Sequence, residues 1–178
     1  MSGIYIHIPF CKQKCSYCDF YFSTTFQSYR GLMIESLRNE IRLRSNYLHS
    51  KNIQSIYFGG GTPSLLTEEE LGNLLQEIQI HFILNEGIEI TLEANPDDIN
   101  ITKLLEWKRT GINRLSIGLQ SFKENDLRWM NRAHTAEESL NCILLAKQNG
   151  FDNISVDLMY GLPGLSTKDW EKHIQTVI

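Results

Sequence analysis

The sequence lacks three features that would assign it to a class of protein at once. No apolar run is longer than a strand, whereas a membrane-spanning helix needs about 20 apolar residues. No long run of one charge occurs, and 17 basic against 21 acidic residues give a net charge of -4, so we expect neither a nucleic-acid partner nor a polybasic membrane anchor. The N-terminus shows no charged segment followed by an apolar one, so no signal peptide is expected and a cytoplasmic location is predicted.

Cysteine is scarce, with four in 178 residues, yet three of them fall within one short segment as Cys11, Cys15 and Cys18. In a reducing compartment, clustered cysteines bind metal or do redox chemistry more often than they form disulfides. Three thiolates on one loop can hold three irons of a 4Fe–4S cluster and leave the fourth iron open to an exchangeable ligand. A zinc site stays open as an alternative, with His7 or a distant cysteine as fourth ligand. Cys142 lies in an apolar helical stretch and is predicted to be a core residue.

Strand-length apolar segments alternate with longer segments of helical period. Candidate strands span residues 4–8, 53–58, 88–93, 114–119 and 154–159, and candidate helices span residues 26–48, 68–82, 101–109, 136–149 and 168–178. Thr67 with Glu70, and Thr135 with Glu138, have the spacing of capping boxes at helix starts. Five such repeats predict an α/β fold, a partial (βα) barrel of the TIM type with about five βα units. Residues 1–178 are interpreted as one domain that is incomplete at its C-terminus.

The residues that could carry chemistry lie at or just after the carboxyl ends of the candidate strands. They are the three cysteines, the run Gly59–Gly61, Glu93, Gln120 and Asp157. In βα barrels this edge carries the active site. Taken singly, each has an ordinary interpretation, since a glycine run is often a tight turn and a lone Glu is usually solvated. Their convergence from five units favours a functional site.

The cysteine spacing, Cys-x3-Cys-x2-Cys with Tyr17 before the third cysteine, resembles that of the radical SAM superfamily. Gly59-Gly60-Gly61-Thr62-Pro63 and Glu93-Ala94-Asn95-Pro96 are similar to two further motifs of that family. The resemblance implies a 4Fe–4S cluster held by Cys11, Cys15 and Cys18, with S-adenosylmethionine on the open iron. It also implies that an electron from the cluster cleaves the sulfonium to a 5′-deoxyadenosyl radical.

The order of motifs over nearly the whole chain resembles one branch of the superfamily, the HemN/HemW branch of oxygen-independent coproporphyrinogen III oxidases and heme chaperones. By this resemblance, the cluster-bound S-adenosylmethionine would be lined by Tyr5, Tyr17, Gly60 and Glu93. A second S-adenosylmethionine is a hypothesis, and its pocket would consist of Gly61, Thr62, Gln120, Arg132 and Asp157. From the residues alone, Arg132 has two interpretations, a solvated side chain or a partner of a cofactor carboxylate. His134 is predicted to be a local hydrogen bonder.

Two departures favour the heme chaperones over the oxidases. Phe20 stands where the oxidases have a further cysteine, and only four residues precede Tyr5. The predicted function is therefore a heme chaperone that binds heme and delivers it to a membrane-bound heme-requiring client, with a flavodoxin or ferredoxin as reductant. The alternatives are a coproporphyrinogen III dehydrogenase, which converts propionates to vinyl groups, and a non-redox zinc-binding α/β module.

Overall fold

A computed structural model describes residues 2–178, which form one parallel sheet with helices in its crossovers. The five strands are β1 (Gly3–Ile8), β2 (Asn52–Gly60), β3 (Ile83–Ala94), β4 (Arg114–Gln120) and β5 (Asn153–Leu158). The six helices are α1 (Arg30–Leu43), α2 (Glu68–His81), α3 (Ile101–Thr110), α4 (Glu124–Trp129), α5 (Ala136–Gln148) and α6 (Thr167–Val177). Short 3-10 turns occupy Pro63–Leu65 and Pro96–Asp98.

The strands are ordered in space as they are in sequence, β1-β2-β3-β4-β5, and every pairing is parallel. Parallel neighbours need a crossover, which is almost always right-handed. Four crossovers in the same sense wind the sheet one way, which is the topology of a partial TIM-type barrel. The predicted α/β fold is therefore confirmed.

The two faces of the sheet differ in chemistry, because side chains alternate along each strand. One row of paired residues across all five strands is apolar, namely Ile6, Phe58, Leu92, Leu115 and Ile154. The next row is polar or amphipathic, namely Tyr5, Tyr57, Thr91, Arg114 and Asn153. The apolar row belongs to the main core, in which Trp107 and Phe151 are also fully buried. Burying each large apolar side chain stabilises the fold by roughly 1.5–3 kcal/mol.

Sequence signals fix several helix boundaries. Thr67 and Thr135 each accept from the backbone N–H three residues on, and Glu70 and Glu138 complete both capping boxes. Gly111 ends α3 in the left-handed region at a φ of 96°. Cys142 is buried on α5, as predicted.

Three boundaries differ from the predictions. The helix predicted at 26–48 is the shorter α1. Its start is later because Phe26–Tyr29 form a turn, in which the ring of Phe26 stacks on that of Phe10 with centroids 4.5 Å apart. Strand β3 starts five residues before the predicted 88, since Ile83 and Leu84 pair with the start of β2. Helix α4, six residues long, was not predicted. No helix within residues 2–178 is long and apolar enough to cross a membrane.

Candidate cofactor site

A cavity of about 230 Å³ opens at the carboxyl ends of the strands. Every predicted site residue except Tyr5 lines it. These lining residues are Cys11, Cys15, Tyr17, Cys18, Gly60, Gly61, Thr62, Glu93, Gln120, Arg132 and Asp157. The fold therefore brings together residues that lie up to 146 positions apart, from Cys11 to Asp157.

The cysteine loop leaves β1 and is closed by backbone hydrogen bonds at its base. The Cys11 N–H donates to Ser23 O at 3.1 Å, and the Ser23 N–H donates to Pro9 O at 2.8 Å. All three thiols are free; Cys11 is buried, whereas Cys15 and Cys18 are partly exposed. Burial raises the pKa of the Cys11 thiol, and the hydroxyl of Thr62, which donates to its Sγ at 3.4 Å, acts in the opposite direction.

The glycine run fits where two segments of backbone come close together. A Cβ on Gly61 would lie 2.7 Å from Phe10 O and 2.9 Å from Ile8 O, and the Gly61 N–H donates to Ile8 O at 2.8 Å. Gly60 has a φ of 111°, and a Cβ there would lie 2.6 Å from the His7 ring. Glycine is therefore required at these positions by the packing of β2 against the start of the cysteine loop.

Glu93 is fixed by two donors from the neighbouring strand. Its Oε1 accepts from the Tyr57 hydroxyl at 2.8 Å, and its Oε2 accepts from the Gly60 N–H at 3.0 Å. Burial raises the pKa of Glu93, although both hydrogen bonds favour the carboxylate. Burial, together with the Glu93 carboxylate, raises the pKa of Tyr57 to about 12. The two hydrogen bonds hold the Glu93 carboxylate at the cavity, where its remaining lone pairs can accept from a ligand.

Arg132 is held by acceptors at one end of its guanidinium. Nη2 donates to Asn95 Oδ1 at 2.7 Å and to Gly118 O at 2.6 Å. Nη1 lies 3.5 Å from both Cys15 Sγ and the Tyr17 hydroxyl. Of its two interpretations, the solvated side chain is wrong, because the guanidinium is engaged inside the site.

His134 forms a local hydrogen bond, as predicted. Its Nε2 lies 3.1 Å from Leu119 O, and the side chain is buried. Burial, with the positive charge of Arg132 nearby, lowers its pKa to about 4. The imidazole is therefore neutral at physiological pH.

Gln120 and Asp157 line the cavity without being tied to the protein. No side-chain hydrogen bond to either is present in the described part of the chain, residues 2–178, and burial raises the pKa of Asp157. Gln120 has a φ of 66°, in the left-handed region that non-glycine residues rarely adopt. Such backbone strain clusters at functional sites.

The two tyrosines predicted to line the cofactor lie differently. Tyr17 lines the cavity, and burial raises its pKa to about 12. Tyr5 lies outside the lining, stacked on Tyr57 with ring centroids 6.0 Å apart, and its hydroxyl lies 3.0 Å from His7 Nδ1. Its cofactor role stays a prediction.

Three contributors to the site were not predicted from the sequence. Tyr57 holds Glu93, Asn95 links Arg132 to Thr62, and residues 129–131 contact the cysteine loop. Tyr57 shares a strand face with Gly59, and Asn95 is two residues after Glu93, so strand alternation could have found both. Nothing in the sequence indicates the third contact.

The residues present fit a 4Fe–4S cluster with a bound small molecule. Three free thiols share one loop, and the Nε of Arg132 is buried beside them without a partner. In residues 2–178, no three His, Cys, Asp or Glu side chains are arranged around one point as a single ion needs. A cubane spreads its thiolate ligands over different irons, whereas zinc gathers them around one ion.

A sheet wound one way, with a three-cysteine loop and a polar cavity at its carboxyl edge, defines a barrel that binds a cofactor at that edge. The sequence model of the Radical SAM superfamily matches residues 5–177. The chain belongs to the radical SAM superfamily. This membership implies a 4Fe–4S cluster and S-adenosylmethionine as cofactors.

Within the superfamily, this chain is similar to two curated heme chaperones. The chain is 38% identical over 177 residues to the heme chaperone HemW of Buchnera aphidicola, covering 99% of this chain and 47% of that protein. It is 38% identical over 183 residues to the heme chaperone HemW of Bacillus subtilis, covering 100% of this chain and 47% of that protein. It thus spans about half the length of these relatives.

Among solved structures, the fold is similar to that of coproporphyrinogen III oxidase (HemN) from Escherichia coli, a radical SAM enzyme. The TM-score is 0.87 at 29% identity, covering 98% of this chain and 41% of that chain. Methylornithine synthase has a TM-score of 0.66 at 14% identity, a likeness that shows the fold alone.

Proposed function

We propose that residues 1–178 are the cofactor-binding core of a heme chaperone of the HemW type. The observation that carries the proposal is the cavity at the carboxyl ends of the strands, in which three thiols, a glycine run and the Glu93 carboxylate converge. The names of the two HemW relatives support the chaperone function. Phe20, which is 70% exposed at the mouth of this cavity, stands where the resemblance to the oxidases calls for a further cysteine.

The residues divide the binding of the cofactors between them. Cys11, Cys15 and Cys18 hold the cluster, which supplies one electron when it is bound and reduced. Glu93 and Gly60, joined by a hydrogen bond of 3.0 Å, form a pair that can meet the amino group of S-adenosylmethionine. Tyr5 and Tyr17 are the two aromatic side chains that the proposal adds to this pair. The neighbouring glycines let the ligand approach the backbone closely.

A second S-adenosylmethionine is the finer hypothesis. Its pocket would use Gly61, Thr62, Gln120, Arg132 and Asp157. Within residues 2–178, the side chains of Gln120 and Asp157 have no hydrogen-bond partner, whereas those of Thr62 and Arg132 have. Equilibrium dialysis measures how many molecules bind per chain. Two per chain in the cluster-loaded protein, falling to one in Asp157→Ala, support the pocket. One S-adenosylmethionine per chain in both proteins would rule out the second pocket.

The proposed cargo is heme, delivered to a membrane-bound heme-requiring client, and the proposed reductant is a flavodoxin or ferredoxin. We propose a cytoplasmic location because a cluster loop needs its thiols reduced, and all three are free.

The test compares heme binding with turnover in one anaerobic sample of the cluster-loaded protein. Stoichiometric heme binding without formation of protoporphyrinogen from coproporphyrinogen III is the expected result. Cys15→Ala protein, which lacks a cluster ligand, is the control for non-enzymatic oxidation.

Coproporphyrinogen III dehydrogenase is the second candidate, favoured by the TM-score of 0.87 to the E. coli oxidase. Protoporphyrinogen formed by the loaded protein but not by Cys15→Ala would establish this activity and overturn the chaperone proposal.

A further inference from the structure

A four-residue segment after β4, residues 129–132, holds the cysteine loop on both sides of Cys15. The contacts are hydrogen bonds of 2.6–3.0 Å: Ser16 N–H to Met130 O, Ser16 Oγ to Trp129 O, Gln13 Nε2 to Asn131 O, and Asn131 Nδ2 to Lys14 O. Met130 is fully buried in a small apolar cluster against which Tyr17 packs. The loop is therefore fastened to a distant part of the chain by polar and apolar contacts together.

Asn131 adopts a φ of 55° to make its contacts. The left-handed region costs a non-glycine residue roughly 1–2 kcal/mol, and asparagine tolerates it best. In this conformation its carbonyl accepts from Gln13 while its side chain donates to Lys14 O. Asn131, the residue in the strained conformation, is thus the one that makes two hydrogen bonds to the cysteine loop.

Arg132 heads a chain of hydrogen bonds that ends on two of the three thiols. Nη1 lies 3.5 Å from Cys15 Sγ, and Nη2 donates to Asn95 Oδ1 at 2.7 Å. Asn95 Nδ2 donates to Thr62 Oγ1 at 3.4 Å, and Thr62 Oγ1 donates to Cys11 Sγ at 3.4 Å. Every donor in this chain points away from Arg132, so each bond can polarise the next.

We propose that Arg132, Asn95 and Thr62 act as positioning residues for the cluster, donating to the thiolates of Cys15 and Cys11 and raising the reduction potential of the bound cluster. The proposal rests on the proposed function, since it requires that these thiols hold the cluster. Reduction adds negative charge to the cluster, and hydrogen bonds to its sulfurs stabilise that charge. Thr62 and Arg132, which the resemblance assigns to a second S-adenosylmethionine, thereby acquire a role at the cluster itself.

The test is a redox titration of the cluster, followed by EPR, on the cluster-loaded protein and its variants. Thr62→Val removes the donor and keeps the shape of the side chain. We expect the ratio of reduced to oxidised cluster at a fixed potential to fall about tenfold, a shift of about 59 mV for one electron. Thr62→Ser restores the donor and is expected to restore the potential. Arg132→Lys keeps the charge and loses one arm of the fork, and is expected to shift the potential the same way.

The matched control is Thr91→Val on β3. Among residues 2–178 the buried Thr91 hydroxyl has no hydrogen-bond partner, so its removal is expected to leave the potential unchanged. Iron content per chain checks that every sample is fully loaded.

The outcomes separate this inference from the proposed function. Equal potentials in wild type, Thr62→Val and Arg132→Lys, all with a full cluster, overturn the inference and leave the cofactor assignment intact. A wild-type protein that takes up no cluster overturns both. If Thr62→Val fails to load iron, the shift in Arg132→Lys decides the question alone.

Discussion

The two sides of the cofactor cavity are built differently. On the side of β1–β3, Cys11 and Glu93 are held by hydrogen bonds from Thr62, Tyr57 and Gly60. On the side of β4 and β5, no partner within residues 2–178 fixes the side chains of Gln120 and Asp157. Both side chains line the cavity without being fully buried, so a ligand can meet them without breaking an existing hydrogen bond.

The β1–β3 side of the cavity is therefore a scaffold, and the β4–β5 side is a surface that receives the ligand. The scaffold side is preorganised, because its polar groups already have partners before any cofactor binds. The receiving side carries a carboxylate and an amide that are free to bind. Mutations on the scaffold side should therefore weaken stability and binding together, while those on the receiving side should weaken binding with little or no loss of stability.

The largest expected effect comes from the scaffold's thiols. Cys15→Ala removes one of the three thiols proposed to hold the cluster, and we expect loss of nearly all bound iron and of the broad absorption of the cluster. Cys142→Ala is the matched control, since that cysteine is buried on α5, away from the cavity lining. Iron per chain is the measurement. A fully loaded Cys15→Ala protein would contradict the assignment of the ligands.

The next largest effect is expected from alanine at two glycines, one on each side of the cavity. A Cβ on Gly61 meets backbone oxygens at 2.7 and 2.9 Å. One on Gly118 meets only the ends of side chains, those of Gln120 at 3.0 Å, Arg132 at 3.4 Å and Asn95 at 3.9 Å. Backbone cannot yield as side-chain ends can, so we expect Gly61→Ala to lower the free energy of unfolding by about 3 kcal/mol and Gly118→Ala by less than about 1 kcal/mol.

Urea denaturation measures both glycine variants, with Gly72→Ala as the control. A Cβ on Gly72, within α2, meets nothing within 4 Å, so alanine there should stabilise the protein by roughly 0.5–1 kcal/mol. Equal losses in Gly61→Ala and Gly118→Ala would remove the distinction between the two sides.

The two carboxylates should respond to alanine with opposite signs. Glu93→Ala leaves the Tyr57 hydroxyl and the Gly60 N–H without their acceptor, at a cost of about 1–3 kcal/mol. Asp157 accepts no such bond, and burial raises its pKa, so its charge opposes folding. Asp157→Ala is therefore expected to raise the free energy of unfolding of the cluster-free protein at pH 7.

The pH dependence checks the sign for Asp157. Because its folded-state pKa is raised, the penalty is absent where the carboxyl is protonated in both states, and it develops as pH rises through the unfolded and then the folded pKa. The gain from Asp157→Ala should therefore shrink as pH falls below about 4, the ordinary range for Asp. A gain that grows toward low pH would show that the charge of Asp157 stabilises the fold.

The smallest effect is expected for Gln120→Gly. Release of the strain at its φ of 66° offsets the entropy that glycine adds to the unfolded chain, so the free energy of unfolding should change by less than about 0.5 kcal/mol. Affinity for S-adenosylmethionine, measured by equilibrium dialysis, should still fall if Gln120 receives the ligand. A large loss of stability would assign Gln120 to the scaffold.

Local signals predicted the elements of the fold well. Strand-length apolar segments located the five strands, and the capping boxes at Thr67 and Thr135 fixed two helix starts. Helix α4 was missed because six residues are too few for a helical period to stand out. The start of β3 was missed because Ile83 is extended through pairing with Asn52, a long-range contact.

The sequence predicted which residues come together in the cavity but not the hydrogen bonds that hold them there. Position at the carboxyl ends of the strands was enough to gather Cys11, Glu93 and Asp157 into one cavity. The partners of Arg132 were not predictable, because Asn95 and Gly118 reach it only after β3 and β4 have paired. Likewise, the clasp of Asn131 on Lys14 joins residues 117 positions apart.

The most direct test of the account is EPR of the reduced, cluster-loaded protein with and without S-adenosylmethionine. We predict about four irons per chain and a spectrum that changes when S-adenosylmethionine is added, because the ligand would bind the iron left without a cysteine. The spectrum of Glu93→Ala should change only at higher concentrations of the ligand. A loaded cluster whose spectrum is the same with and without saturating S-adenosylmethionine would contradict the claim that this cavity holds an open iron.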